Sequence, residues 1–168
     1  MAPPLKTIAF GFRPELCVGC GRCIIACLDA HDTPIGTVPP LRVSGRVESE
    51  DAGQADIEYY TAACFHCEAA PCAAVCPKGC VRLDDVVPLV VLDNEFCIGC
   101  GNCARVCRYD AVRFRGGRAF KCDGCAERVR RGQKPVCAAV CSQGAITLDD
   151  RNEVLRTGRQ WIAAAIKS

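Results

Sequence analysis

The chain has few of the large side chains that normally fill a protein core. Aromatic residues make up 6% of its 168 residues, with one tryptophan and one methionine. Hydrophobic residues reach 50%, but cysteine and alanine supply much of that share. So thin an organic core predicts that folding depends on bound inorganic groups, as it does in other small metal-dependent domains. We therefore expect protein made without metal not to be compact.

Long apolar runs are also missing. The longest candidate, from Trp161 to Ile166, has six residues, whereas a membrane-spanning helix needs about 20. The N-terminus lacks the charged region and apolar run of a secretory signal, and no twin-arginine pair stands near it. These absences predict no membrane span and favour a cytoplasmic location, although export together with a signal-bearing partner stays open.

Cysteine, by contrast, is abundant: the chain has 17, and 16 of them form four quartets. The quartets are Cys17-x2-Cys20-x2-Cys23-x3-Cys27, Cys64-x2-Cys67-x4-Cys72-x3-Cys76, Cys97-x2-Cys100-x2-Cys103-x3-Cys107 and Cys122-x2-Cys125-x11-Cys137-x3-Cys141. Sixteen thiolates suit four cubane iron–sulfur clusters with four ligands each, and such clusters transfer electrons. The first and third quartets are specific by themselves, whereas the fourth alone is equally typical of a zinc ribbon.

A disulfide scaffold is the usual explanation for so many cysteines in a short secreted chain. Three features oppose it here: the number of cysteines is odd, no secretory signal is present, and the x2 and x3 spacings are those of metal–thiolate motifs. A zinc-structured interaction module is the remaining alternative, and it would be colourless.

The chain also repeats itself. The sequence Cys-Val-Gly-Cys-Gly-Arg-Cys at 17–23 returns as Cys-Ile-Gly-Cys-Gly-Asn-Cys at 97–103, which predicts duplicated cluster modules. Short alternating runs predict strands and hairpins, and alanine-rich stretches between ligands predict short helices, giving an α+β fold. The predicted strands are 81–83 with 89–92, 112–114 with 119–120, 41–47 with 57–61, and 146–148; the predicted helical turns are 24–29, 73–75, 104–106 and 138–140.

The order of the quartets, with Cys64-x-His66-Cys67 opening the second and Ala26-Cys27-Leu28-Asp29-Ala30-His31 closing the first, resembles the four-cluster ferredoxin-like electron-transfer subunits. That family accompanies molybdenum and tungsten oxidoreductases of the dimethyl sulfoxide reductase and aldehyde oxidoreductase types, and some formate dehydrogenases, hydrogenases and carbon monoxide dehydrogenases. The resemblance covers residues 8–150. It implies one four-cluster domain over 1–150, in two pseudo-symmetric ferredoxin-like halves: half A at about 1–40 with 115–150, and half B at about 55–114.

The resemblance also implies a set of ligands for each of four [4Fe-4S] clusters. Cluster 1 takes Cys17, Cys20, Cys23 and Cys141; cluster 2 takes Cys27, Cys122, Cys125 and Cys137; cluster 3 takes Cys64, Cys67, Cys72 and Cys107; cluster 4 takes Cys76, Cys97, Cys100 and Cys103. This crossing agrees with the exchange of the last cysteine in two-cluster ferredoxins. No ligand position is replaced by another residue type, so four [4Fe-4S] clusters are expected.

Three residues beside the quartets need a separate interpretation. Cys80 is predicted to be a small buried filler and not a ligand, because alanines occupy the corresponding positions after the third and fourth quartets. The rival interpretation exchanges it with Cys76 as a ligand. For His31 and His66, hydrogen bonding to cluster sulfur and an ordinary surface or core role are about equally supported.

Charge is distributed unevenly along the chain. Its formal net charge is +2, and four bound clusters would shift this to roughly −6. Residues 105–134 contain ten basic and three acidic residues, whereas residues 48–95 contain ten acidic and two basic ones. The basic stretch lies among the third and fourth quartets, which favours compensation of cluster charge over a nucleic-acid partner. Clusters near Arg105, Arg108 and Lys121 should therefore be easier to reduce.

No nucleophile elbow, phosphate loop or incomplete quartet indicates catalysis. The predicted function is therefore a non-catalytic subunit that relays single electrons from a catalytic oxidoreductase subunit to another redox partner, such as a flavin subunit. The chain's compactness relative to the family favours the small subunit of a tungsten aldehyde oxidoreductase. A free-standing polyferredoxin carrier is the alternative. The tail 151–168 is predicted to form a helix that folds back or contacts another subunit, including a second copy.

Overall fold

The computed structural model describes residues 8–33, 36, 40–51, 54–150 and 154. These residues form eight short strands and five short helices, which gives the predicted α+β fold. The strands are β1 (Ile8–Phe12), β2 (Val43–Asp51), β3 (Gln54–Ala62), β4 (Val81–Leu83), β5 (Val90–Leu92), β6 (Val112–Arg115), β7 (Arg118–Lys121) and β8 (Ile146–Asp150). The helices are α1 (Arg22–Ala30), α2 (Pro71–Ala74), α3 (Asn102–Arg105), α4 (Ala126–Arg130) and α5 (Val136–Ala139).

The strands pair as four separate two-stranded antiparallel sheets. Three of these sheets are the predicted hairpins, β2–β3, β4–β5 and β6–β7. Gly116 and Gly117 connect β6 to β7 with φ angles of 55° and 75°. Because two consecutive positive φ angles match the right-handed twist of the flanking strands, a Gly-Gly pair turns the chain here in two residues.

The fourth sheet joins the beginning of the described chain to its end. Strand β1 pairs with β8, so that Phe12 lies opposite Ile146. The sequence predicted β8 but not β1, because a five-residue strand whose partner is far away in sequence leaves little local signal. This pairing brings the N-terminal and fourth-quartet segments together.

Small side chains and cysteines fill the interior. The first core contains Phe12, Ala62, Cys137, Ala138, Ala145 and Ile146; the second contains Ala70, Val81, Val90, Cys103, Val112 and Ala119; the third contains Ile8, Val87, Leu89, Ala126 and Val129. Such a core agrees with the thin interior inferred from composition. The division into halves A and B remains a prediction, and β6 and β7 pair with each other across the boundary at residue 115.

The helices follow the predicted alanine-rich stretches with one addition. Helices α1, α2, α3 and α5 overlap the four predicted helical turns. Helix α4, with the sequence Ala-Glu-Arg-Val-Arg, lies in the long gap of the fourth quartet and was not predicted. None of the helices that the structure describes has the length and apolar character needed to cross a bilayer. The predicted C-terminal helix and the loop Pro34–Pro40 lie largely outside the described residues.

Candidate iron–sulfur centres

The four quartets open with loops of the same backbone conformation. The residue before the second cysteine has a positive φ in every loop: Gly19 (67°), His66 (48°), Gly99 (68°) and Gly124 (72°). A second left-handed residue then precedes the next helix: Gly21 (73°), Ala70 (39°), Gly101 (78°) and Cys125 (52°). The shared conformation supports the duplication inferred from the sequence.

Glycine is required in two of these loops for a further reason. A Cβ atom on Gly99 would lie 2.1 Å from the carbonyl oxygen of Gly117, and one on Gly19 would lie 2.3 Å from the Tyr59 ring. The backbone of each loop therefore packs directly against a neighbouring hairpin. This close packing fixes the positions of the cysteines on either side of each glycine.

The first quartet opens onto a surface cavity. Cys17, Cys20 and Cys23 line it together with Cys141, the last cysteine of the fourth quartet. Helix α1 carries Cys23, and helix α5 ends just before Cys141. The two helices pack against each other. Four sulfur-bearing side chains around one space are the donor set of a cubane cluster, so these residues fit the group that the sequence predicts.

The third quartet has an equivalent cavity. It is lined by Cys97, Cys100 and Cys103 with Cys76, the last cysteine of the second quartet. The spare cysteine, Cys80, lines it as well. Cys20 and Cys100, the middle cysteines of the two C-x2-C-x2-C motifs, are both exposed to solvent. Both cavities are therefore accessible from the surface.

The predicted ligands of cluster 2 lie deeper in the protein. Burial, helped by the nearby sulfurs of Cys137 and Cys125 and opposed by the charge of Arg42, raises the pKa of the Cys27 thiol to about 12. Burial likewise raises the pKa of Cys122. Thiols in such surroundings are deprotonated only when a positive centre binds them, which suits residues that ligate iron.

The second quartet meets the end of the third. Burial raises the pKa of Cys72, the nearby sulfurs of Cys64 and Cys107 add to the rise, and Lys121 lowers it. Three of the four predicted ligands of cluster 3 are therefore close enough to act on one another. The fourth, Cys67, belongs to the same loop as Cys64. Assignment of all sixteen ligands nevertheless remains a prediction.

Backbone N–H groups point at several of these sulfurs. Distances from nitrogen to sulfur are 3.3–3.4 Å for Ala119 to Cys97, His66 to Cys64, Ala111 to Cys107 and Gly124 to Cys122. Such hydrogen bonds favour the electron-rich form of a sulfur ligand and help to set the potential of a cluster. The loops therefore offer donors as well as ligands.

Residues 55–151 and 16–80 each match a family described as a 4Fe-4S dicluster domain. The chain belongs to the 4Fe-4S dicluster ferredoxin family. The two matches together span every cysteine of the four quartets, and two dicluster domains imply four [4Fe-4S] clusters. When bound, such a cluster takes up and releases one electron. The ferredoxin resemblance expected from the sequence is confirmed, as are the α+β fold and the iron–sulfur cofactor.

Curated relatives extend the comparison to whole proteins. The B subunit of the anaerobic dimethyl sulfoxide reductase of Haemophilus influenzae is 34% identical over 91% of this chain and 78% of its own length. The formate dehydrogenase iron–sulfur subunit of Wolinella succinogenes is 34% identical over 82% and 78%, respectively. A thiosulfate reductase electron transfer subunit of Salmonella typhi is 36% identical over 83% and 75%. This ferredoxin is thus similar to iron–sulfur subunits of oxidoreductase complexes.

Within the ferredoxin, Cys80 lies beside the predicted ligand Cys76, in the same cavity. It is buried at 4% exposure, as predicted. Burial raises the pKa of Cys76, but the N–H groups of Val81, Lys78 and Cys80 and the Cys80 thiol together hold it below its ordinary value. Cys80 is therefore placed to donate a hydrogen bond to a predicted ligand, and its exclusion from the ligand set stays a prediction.

The two histidines occupy different environments. His66 is buried, accepts a hydrogen bond at Nδ1 from the Val90 N–H (2.9 Å), and places Nε2 3.9 Å from the Cys122 sulfur. Since Nδ1 is an acceptor, the neutral ring carries its proton on Nε2, which therefore faces the sulfur. His31 Nε2 instead lies 3.6 Å from an Asp123 carboxylate oxygen. Hydrogen bonding to cluster sulfur is thus supported for His66.

Sequence reasoning missed a buried arginine. Arg42 is 5% exposed and donates a hydrogen bond to Thr61 Oγ1 at 3.2 Å. It follows the proline-rich loop and lies outside every motif, so nothing in its local sequence marks it. Lys121, which the sequence did associate with the clusters, is buried too, and its Nζ donates to the carbonyl oxygens of Val90 and Cys122.

Proposed function

We propose that this ferredoxin is a non-catalytic subunit that relays single electrons through four [4Fe-4S] clusters, between a catalytic oxidoreductase subunit and a second redox partner. The observation that carries the proposal is the grouping of cysteines from different quartets around common sites. Cys141 joins the first quartet and Cys76 joins the third, each at a surface-accessible cavity. Similarity to iron–sulfur subunits of oxidoreductases supports the assignment to a complex.

Four ligand sets follow from this proposal. They are Cys17, Cys20, Cys23 and Cys141 for cluster 1; Cys27, Cys122, Cys125 and Cys137 for cluster 2; Cys64, Cys67, Cys72 and Cys107 for cluster 3; and Cys76, Cys97, Cys100 and Cys103 for cluster 4. Shared cavities support the first and fourth sets. Mutual electrostatic effects among the thiols support the second and third.

The accessible clusters, 1 and 4, are the proposed points of electron entry and exit. Val18, which lines the first cavity, is 57% exposed, and Ile25, on helix α1, is 61% exposed. Phe96 and Ile98 are exposed by 66% and 59% beside the third quartet. Apolar side chains next to an exposed ligand suit brief contact with a redox partner, because they exclude water where the electron must cross.

The proposed catalytic partner is a molybdenum or tungsten enzyme. Relatives from dimethyl sulfoxide reductase and formate dehydrogenase support that class of partner. A tungsten aldehyde oxidoreductase is the narrower form of the proposal, and it comes from the sequence resemblance. A reducing cytoplasm is the proposed location, consistent with seventeen free cysteines.

The test is an elemental inventory of the natively isolated complex, purified without oxygen. The proposal predicts about 16 irons per chain, together with molybdenum or tungsten in a co-purifying catalytic subunit. Nickel would reassign the partner to a hydrogenase or carbon monoxide dehydrogenase. Iron without a second metal or a partner would identify a free polyferredoxin carrier, and stoichiometric zinc without iron would contradict electron transfer altogether.

A further inference from the structure

We propose that Arg42 is the buried counter-charge of clusters 1 and 2, and that its positive charge keeps their potentials high enough for them to accept electrons. This inference rests on the proposed function. It adds a residue outside every cysteine motif to the groups that control electron flow. Its basis is a buried guanidinium that one hydroxyl, Thr61 Oγ1, links to Cys23, a ligand assigned to cluster 1.

Burial of Arg42 would be costly without a negative partner. Its residue exposure is 5%, and within the described part of the chain no carboxylate lies at ion-pair distance from it. Its neighbouring hydroxyl, Thr61 Oγ1, accepts from the guanidinium at 3.2 Å and donates to the Val43 carbonyl oxygen at 2.9 Å. Neutral oxygens satisfy hydrogen bonds but do not balance the charge. Among the described residues, the negative partner of Arg42 is therefore of another kind.

Cysteine sulfurs are close enough to act on the charge of Arg42 instead. Burial lowers the pKa of Arg42, but four cysteines from the first and fourth quartets, Cys137, Cys122, Cys23 and Cys27, raise it above its ordinary value. Thr61 Oγ1 also lies 3.5 Å from Cys23 Sγ, which connects the arginine to the cluster 1 ligands through one hydroxyl. The thiolates of a bound cluster pair supply the negative charge that the described carboxylates do not.

This arrangement has a direct electrochemical consequence. Each electron adds one negative charge to a cluster, and burial in a medium of low polarity opposes that addition. A fixed positive charge beside the ligands stabilises the added electron and so raises the reduction potential of the cluster. Cys23 belongs to the proposed cluster 1, while Cys27, Cys122 and Cys137 belong to cluster 2, so both potentials should respond to Arg42.

The test compares three variants of the holoprotein in anaerobic redox titrations followed by electron paramagnetic resonance, with iron content measured in parallel. Arg42→Gln removes the charge, Arg42→Lys keeps it, and Arg46→Gln removes an exposed arginine of the same hairpin that pairs with Glu48. We expect Arg42→Gln to lower two of the four potentials, Arg42→Lys to restore most of the shift, and Arg46→Gln to leave all four unchanged.

Each remaining outcome is decisive. Unchanged potentials in Arg42→Gln at full iron content would overturn the inference, as would an equal shift of all four clusters. If Arg42→Gln loses iron, recovery of that iron in Arg42→Lys supports a requirement for charge, and equal loss in both variants overturns it. Failure of the proposed function would be visible separately, because the wild-type protein itself would then lack the four clusters.

Discussion

The outer clusters, 1 and 4, and the inner clusters, 2 and 3, have the same kind of proposed ligands in very different surroundings. At the first and third quartets, Cys20 and Cys100 are exposed and the ligands line open cavities. At the fourth, Cys122 and Cys137 are buried, with Arg42 and other polar groups close by. The difference teaches that coordination alone does not assign a role to a cluster. Accessibility suits clusters 1 and 4 to exchange electrons with partners, whereas the buried charge beside cluster 2 suits that region to control cluster potentials, including that of cluster 1.

The largest expected effect comes from removing one ligand of an outer cluster or one ligand of an inner cluster. Cys100→Ser and Cys137→Ser should each lose roughly four irons per chain, because each is a proposed ligand of a different cluster. Since Cys137 also belongs to the first core, its variant should unfold at a lower temperature than Cys100→Ser. Iron analysis and anaerobic thermal unfolding measure both effects.

The matched control for these ligand variants is Cys80→Ala. It removes a buried thiol that lines the same cavity as Cys100 but is not a proposed ligand. Iron content should stay at the wild-type value. Loss of roughly four irons from Cys80→Ala would exchange its role with that of Cys76 and contradict the ligand sets.

A glycine substitution tests how tightly the outer loops are packed. Gly99→Ala would bring a methyl group against the Gly117 carbonyl oxygen as well as straining a left-handed residue. We expect a loss of at least about 3 kcal/mol in the free energy of unfolding. Gly79→Ala has a similar φ of 63° with open space around it, so it should cost only about 1 kcal/mol. Equal losses in the two variants would show that backbone strain alone, without packing against Gly117, explains the requirement for glycine at position 99.

An ion pair joins helix α4 to the β4–β5 hairpin. The Asp84 carboxylate is buried, pairs with Arg130 of α4, and accepts hydrogen bonds from the Val86 and Val87 N–H groups at 3.0 and 3.1 Å. Asp84→Asn should therefore destabilise the holoprotein by about 3 kcal/mol. Asp85→Asn, whose side chain is 96% exposed, should change stability by less than about 0.5 kcal/mol.

The pH dependence of the same pair follows from its pKa. Burial raises the pKa of Asp84, but Arg130 and the two N–H groups outweigh it and hold the pKa below its ordinary value. A lowered pKa in the folded state means that the stabilisation is complete above the ordinary aspartate pKa and is lost as the pH falls below it. Asp84→Asn should lack this component, and an unchanged acid dependence of unfolding would contradict the assignment.

The smallest expected effect tests the hydrogen bond between His66 and Cys122. His66→Asn keeps an acceptor near the Val90 N–H, tolerates the left-handed backbone and removes the Nε2 donor. Loss of a hydrogen bond worth about 1 kcal/mol should lower one cluster potential by about 40 mV. His66→Gln should keep a donor near the sulfur and give a smaller change. A larger shift in the Gln variant would contradict this geometry.

Much of this arrangement could be predicted from local sequence. Cysteine spacing indicated the clusters, and the repeated motif around Gly19 and Gly99 indicated duplicated modules, because both signals lie within a few residues of the chain. The roles of Arg42 and His66 could not be predicted in the same way. Arg42 gains its environment from the first and fourth quartets, and His66 meets Cys122 only after two distant loops pack together. Tertiary contacts, which no local motif records, create both environments.

The measurement that tests the account most directly is a combined iron count and anaerobic redox titration of the wild-type holoprotein. The account predicts about 16 irons per chain and four one-electron steps with unequal potentials. Four identical potentials would contradict the distinction between outer and inner clusters. About eight irons, or bound zinc in their place, would contradict the four-cluster relay itself.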